Sequence, residues 1–207
     1  MGVSWVLTYP MPENKSVQQV MDSLYKLMDM LDAKKCGTFS IDCDTYTSGH
    51  HIVPSKVMHV LHDSERPATT FALIDGGRHL VADYPNLDIL LNMYLNQAYA
   101  CKKTQRIECK GTRYELSEGD FVIRVGAVTY AQQSSSRGIV IEIEYRPCLI
   151  PSMCSKIICD VAEHFMSSSH VQAPSYLNSR MSDIFQPIDY IKQYHELFTG
   201  LRKQQSY

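Results

Sequence analysis

The chain has 207 residues, 20 Lys and Arg against 22 Asp and Glu, a net charge of −2 and 44 % hydrophobic residues. That composition excludes a disordered, collagen-like or low-complexity chain, and the length favours a single domain spanning residues 1–207 over two small ones. No basic run exceeds two residues (Lys34-Lys35, Lys102-Lys103, Arg202-Lys203), which argues against direct nucleic-acid binding, and no stretch approaches 18 uninterrupted apolar residues.

A short apolar strand, Val3 to Leu7, opens the chain. Ser16-Val17-Gln18-Gln19 is a capping box, in which Ser and Gln side chains each take one orphan N–H of a helix start. Val17, Val20, Met21, Leu24, Met28 and Leu31 then recur at mostly three- and four-residue spacing. Lys34-Lys35 followed by Gly37 reads as a cationic last turn with a C-terminal glycine, so a helix is predicted over 17–35.

From Thr38 to Asp44 the period falls to two: Phe39, Ile41 and Cys43 alternate with Ser40, Asp42 and Asp44. Lys56–His62 and Thr69–Ile74 are further strands, and Asp75-Gly76-Gly77 turns the chain back through His79 to Ala82. A middle helix follows Pro85-Asn86, with Leu87, Leu90, Leu91, Tyr94 and Ala98 on one stripe. Three long strands come next, Gln105–Leu116, Asp120–Tyr130 and Gly138–Tyr145, joined by Ser117-Glu118-Gly119 and the polar loop Ala131–Arg137. One closing helix runs from about Met153 to Ser167 with Ile157, Ile158, Val161 and Phe165 inward. Ser167–Arg180 reads as a long polar loop, and a last helix starts at Pro187 and reaches Lys203. Strand runs with helices at the start, middle and end predict an α+β fold, an antiparallel barrel of seven or eight strands with helices outside it.

Seven cysteines and eight histidines raise the question of zinc. Cys154 and Cys159, five apart on a predicted helix, do not share a face, and His59 and His62, three apart on a strand, point to opposite faces. With no leader pattern before them, the thiols are expected to be reduced and to form neither a disulfide nor a zinc site. His50-His51 has no positioned acid/base partner, and the sequence contains no nucleophile elbow, P-loop or dinucleotide fingerprint.

One constellation carries chemistry. Glu142 and Glu144 project from one face of a strand, and Asp42 and Asp44 do so on another. Were the two strands to face each other across a lumen, the four carboxylates could hold a divalent cation, with Lys110, Arg113 or Arg124 on phosphates: the layout of a triphosphate tunnel hydrolase. Against this, Lys110 and Arg113 cannot line the same side of a regular strand, and alternating charges are ordinary on a solvent-facing side.

Several blocks resemble one family when taken together. They are Lys15-Ser16-Val17-Gln18-Gln19, Gly37-Thr38-Phe39 through Asp42-Cys43-Asp44-Thr45-Tyr46, and Phe71-Ala72-Leu73. Gly111-Thr112-Arg113-Tyr114, Asp120-Phe121-Val122 with Val125-Gly126, and Arg137-Gly138-Ile139 through Glu142-Ile143-Glu144-Tyr145 follow, then Glu196-Leu197-Phe198 with Arg202-Lys203-Gln204-Gln205. In order and spacing they resemble metazoan subunit 20 of the Mediator of RNA polymerase II transcription, the TRF-proximal proteins. The resemblance implies a barrel related to RNA triphosphatases that has no catalytic, metal or cofactor residues of its own. It implies a nuclear, non-enzymatic coactivator subunit of the Mediator head module, paired with Mediator subunit 18 and bridging gene-specific regulators to RNA polymerase II.

Overall fold

The computed structural model describes residues 2–12, 14–49, 55–74, 78–83, 89–90, 98–130 and 136–203. Within them the antiparallel α+β class expected from the sequence is present, with nine strands where seven or eight were expected and three longer helices. The strands are β1 (Val3–Tyr9), β2 (Lys34–Ser48), β3 (Val57–Asp63), β4 (Thr69–Ile74), β5 (Arg78–Asp83), β6 (Tyr99–Cys101), β7 (Ile107–Leu116), β8 (Phe121–Tyr130) and β9 (Gly138–Tyr145). The helices are α1 (Val17–Met30), α2 (Pro151–Ala162) and α3 (Pro187–Lys203). The Asp75-Gly76-Gly77 turn, most of the predicted middle helix and the loop 131–135 lie outside the described residues.

The chain forms two compact units, one of residues 1–39, 110–128 and 136–207, the other of residues 40–109 and 129–135. In the first, hydrogen bonding runs in the order β1-β9-β8-β7, and β9 pairs antiparallel with β1 (Trp5↔Ile143) and with β8 (Ile123↔Ile143). β8 and β9 are buried on both faces, so their apolar runs scarcely alternate with polar ones. α1 and α2 pack on β9, and α3 packs on β1. In the second unit β2-β3-β4-β5 form a meander, with Asp42 opposite His62 and Leu61 opposite Phe71, and β6 pairs with the end of β2. Its core includes Met58, Val60 and Ala72 under Tyr46, Ile74 and Tyr99.

Several boundaries differ from the sequence reading. The capping box at Ser16 forms as read, the Ser16 hydroxyl accepting from the Gln19 N–H while the Gln19 side chain accepts from the Ser16 N–H. α1 stops at Met30, five residues early, and Lys34, Lys35 and Gly37 belong to β2. The cause is Asp32, which takes the left-handed conformation (φ 54°) expected of Gly37. Asp32 N–H then donates to Asp29 O and Ala33 N–H to Met28 O, the paired bonds of a Schellman ending. The cost of αL at a non-glycine residue is modest for Asp, which visits that region more readily than most residues do.

α2 begins at Pro151, which supplies its first turn, and ends at Ala162. Ile158 and Phe165 are buried as expected, whereas Ile157 is exposed, and Cys154 and Ala162 take inward places instead. The stretch 167–180 is folded into short helical turns with Val171 and Leu177 buried. β6 has no counterpart in the sequence reading, because three residues are too few to show a period.

Gly111 marks a close approach of β7 to β8: a Cβ there would stand 1.9 Å from Val125 O. Gly111→Ala therefore lowers stability by at least about 1–3 kcal/mol through backbone overpacking, while Asp32→Gly raises it by a few tenths to about 1 kcal/mol. Urea unfolding followed by far-ultraviolet circular dichroism reads both signs.

Candidate functional site

Of the four carboxylates singled out in the sequence, Glu142 and Glu144 belong to the first unit and Asp42 and Asp44 to the second. Each pair has local partners. Glu142 is only 2 % exposed, so the solvent-facing reading of the Glu-x-Glu alternation does not hold for it. Its cross-strand partner on β8 is Arg124, itself buried, whose Nη1 donates to Glu142 Oε2 at 3.2 Å. The same oxygen accepts from the Tyr194 hydroxyl of α3 at 2.9 Å. The Arg124 guanidinium lies 5.6 Å from the Phe39 ring centre and 5.9 Å from that of Tyr190, so aromatic faces flank the charge. Burying two ions costs several kcal/mol each unless they meet in good geometry with further hydrogen bonds, and Tyr194 supplies one such bond. Glu144 is half-buried and accepts the Gly2 N–H at 2.6 Å.

α3 makes a second polar contact deep in the first unit. β1 ends the hydrogen-bonded path, and Gln193 covers its outer edge: Val6 N–H donates to Gln193 Oε1 at 2.9 Å, and Gln193 Nε2 donates to Ser4 O at 3.0 Å. The side-chain amide thus satisfies the strand edge as a neighbouring strand would. One turn earlier on the helix, Asp189 is buried and accepts from Tyr176 Oη (2.8 Å), Arg180 Nη1 (2.8 Å) and the Gln186 N–H (2.7 Å). These bonds tie the 175–180 turns to α3.

In the second unit Asp42 and Asp44, two apart on β2, project into a cleft of about 590 Å³ lined also by Ser40, His62, Arg66 and Arg106. Arg106 spans both carboxylates, Nη2 lying 3.2 Å from Asp42 Oδ2 and Nη1 3.5 Å from Asp44 Oδ2. His62 Nδ1 is 3.4 Å from Asp42 Oδ2. The sequence reading set His62 aside with His59, and the two do diverge: His59 meets Thr45 Oγ1 at 3.2 Å while His62 turns to Asp42. What it missed was the β2–β3 register, which makes Asp42 and His62 direct partners although 20 residues separate them. Nothing local in the sequence signals that Arg106 joins them.

The basic residues proposed for phosphates scatter. Lys110 is exposed, Arg124 is buried on Glu142, and Arg113 pairs with Glu115 at 2.7 Å, as Arg146 does at 3.1 Å. Desolvation pulls the Glu115 carboxyl upward, but the two guanidinium groups outweigh it and hold the group below the usual carboxylate range. All seven cysteines are thiols. Burial, with help from the neighbouring Cys148, pushes the Cys154 thiol up to about 12, which leaves it an inert core group at neutral pH. His50 and His51 lie outside the described residues. Among the described residues no helix is long and apolar enough to cross a membrane.

Among the described residues, six large apolar side chains of the first unit stand exposed; Met11 and Met30 lie apart, and the other four gather around the start of α2. Met153 is 77 % and Ile157 40 % exposed one turn apart on that helix. Leu149 and Ile184, 49 % and 63 % exposed, join them: Phe185 N–H donates to Leu149 O and Ser152 N–H to Met181 O, which lays residues 181–185 along 149–152.

Comparison with known proteins follows the sequence blocks rather than any catalytic geometry. The family model described as TATA-binding related factor (TRF) of subunit 20 of Mediator complex matches residues 1–199. The chain is 40 % identical over 210 residues to "Mediator of RNA polymerase II transcription subunit 20" of Rattus norvegicus, covering 99 % of this chain and 96 % of that one. The protein of the same name from Anopheles gambiae is 40 % identical over 217 residues, with the same coverage. A solved protein of Pyrococcus horikoshii, 13 % identical, aligns with 83 % of this chain and 94 % of its own at a TM-score of 0.45.

Glu142→Ala leaves the buried guanidinium without its carboxylate and lowers stability by about 3–5 kcal/mol, against about 1.5–3 kcal/mol for Tyr194→Phe. The apolar double variant Arg124→Met with Glu142→Leu loses less than Glu142→Ala alone. Chemical unfolding of the three variants beside the parent ranks them.

Proposed function

The chain belongs to the Mediator subunit 20 family, and we propose that it works in the nucleus as a non-catalytic adaptor of the Mediator head module, paired with Mediator subunit 18. In that role it bridges gene-specific regulators and RNA polymerase II through protein contacts. Family membership over the length of the chain carries the reading. The form of the site supports it. An adaptor acts through area and shape, with apolar and Met-containing patches at the centre of its contacts. The cluster of Leu149, Met153, Ile157 and Ile184 is a patch of that kind. The hydrolase alternative, with Asp42, Asp44, Glu142 and Glu144 as metal ligands, gains no support, because Glu142 is committed to Arg124 and Tyr194.

We also propose that residues 1–207 fold as one domain, since β2 and β7 each contribute residues to both compact units. The expected result is a single unfolding transition, coincident by tryptophan fluorescence, which sees Trp5 of the first unit, and by far-ultraviolet circular dichroism.

Coexpression of the tagged chain with Mediator subunit 18 is expected to yield a stoichiometric complex. Met153→Asp with Ile157→Asp, both at exposed positions, is expected to weaken that complex at least tenfold while leaving the unfolding midpoint within a few degrees of the parent. Failure of the parent to form any complex would remove the adaptor reading; undiminished binding by the double variant would move the docking face elsewhere.

A further inference from the structure

We propose that Asp42, Asp44 and His62 form a seat for a divalent cation of the zinc class, which the guanidinium of Arg106 holds as an internal substitute. The three side chains are set by strand pairing rather than by a loop. Asp42 and Asp44 stand two apart on one face of β2, and His62 is the direct cross-strand partner of Asp42 on β3. One oxygen from each aspartate and a ring nitrogen of His62 lie within 4.8 Å of one another. His62 Nδ1 and Asp42 Oδ2 are 3.4 Å apart, about the edge of a tetrahedron whose metal–ligand bonds are about 2.0–2.1 Å. Two carboxylates and an imidazole suit a borderline cation better than a hard one such as calcium. The adjoining cleft leaves room for water to complete the coordination.

Two further observations bear on a cation here. The first is Arg106 itself. Its nitrogens approach the carboxylates only to 3.2 and 3.5 Å, longer than the roughly 2.7–2.9 Å of a close charge-assisted bond, and its side chain is 43 % exposed. A positive group thus sits where the ion would sit, held loosely enough to leave toward solvent. The second is Thr70. It is the cross-strand partner of His62 on β4 and hence on the same face of the sheet, it is fully buried, and its hydroxyl has no hydrogen-bond partner among the described residues. A metal-bound histidine donates its second ring N–H to an acceptor that fixes the ring, and Thr70, which makes no hydrogen bond to His62 in this structure, is the cross-strand neighbour whose hydroxyl could accept it once the ring turns onto a metal.

The test is calorimetric titration of the metal-stripped full chain with Zn²⁺, and with Co²⁺ for its visible absorption. The parent is expected to take one ion through this site. Arg106→Gln should bind at least about tenfold more tightly, because the competing cation is gone; Asp42→Asn and His62→Gln should each bind at least about tenfold more weakly. Asp44→Asn stands in should either of the last two fail to give the parental circular dichroism spectrum. Uptake that persists unchanged in the Asp42 and His62 variants would assign the ion to other residues, the cysteines first, and overturn the proposal. So would an Arg106→Gln variant that binds no more tightly than the parent, or the absence of uptake by both.

Discussion

Glu142 is the point on which the first unit turns. A carboxylate on a strand buried on both faces is costly to desolvate, and the surrounding elements are arranged so that it is never left without compensation. Arg124 comes from the neighbouring strand by register, Tyr194 from α3, and the faces of Phe39 and Tyr190 flank the guanidinium. This network adds little net stability over an apolar core of equal volume. What it adds is direction, since only one placement of α3 brings Tyr194 to Glu142 while Gln193 reaches Ser4 and Val6 of β1. The apolar residues of α3, with Ile191 and Phe198 fully buried, provide the driving force, and the polar residues between them select the register.

The acidic pair of the second unit follows a different rule. Asp42 and Asp44 line an open cleft where water screens them, and Arg106 spans them at long distance. A deep, tightly bonded charge organises the packing around it, whereas a shallow, loosely bonded one remains available to exchange partners. Two carboxylate pairs in the same i, i+2 spacing therefore have opposite consequences, decided by burial.

For a member of a Mediator subunit family the surface matters as much as the core. α2 shows how one helix serves both. Its inward side carries Cys154, Ile158 and Ala162, while Met153 and Ile157 face out beside Leu149 and Ile184. Four large apolar groups left in water cost solubility unless something covers them, and covering them is what an adaptor's partner does.

Much of this was legible in the amino-acid order. The capping box at Ser16, the limits of β4 and β9, the helix opened by Pro187 and the antiparallel α+β class all rest on local signals, such as side-chain caps, period-two runs and fixed backbone angles, which act within a few residues. The early end of α1 escaped because two local signals competed: Asp32 took the left-handed position that Gly37 could have filled, and the chain from Lys34 onward was freed to pair as a strand. Whether Glu142 met water, a metal or an arginine, and whether His62 stood beside Asp42, were beyond any local signal. Those outcomes depend on which strands become neighbours and in what register, and on which helix covers them. That is settled by burying apolar surface across the whole fold, a free energy that no single stretch of sequence contains.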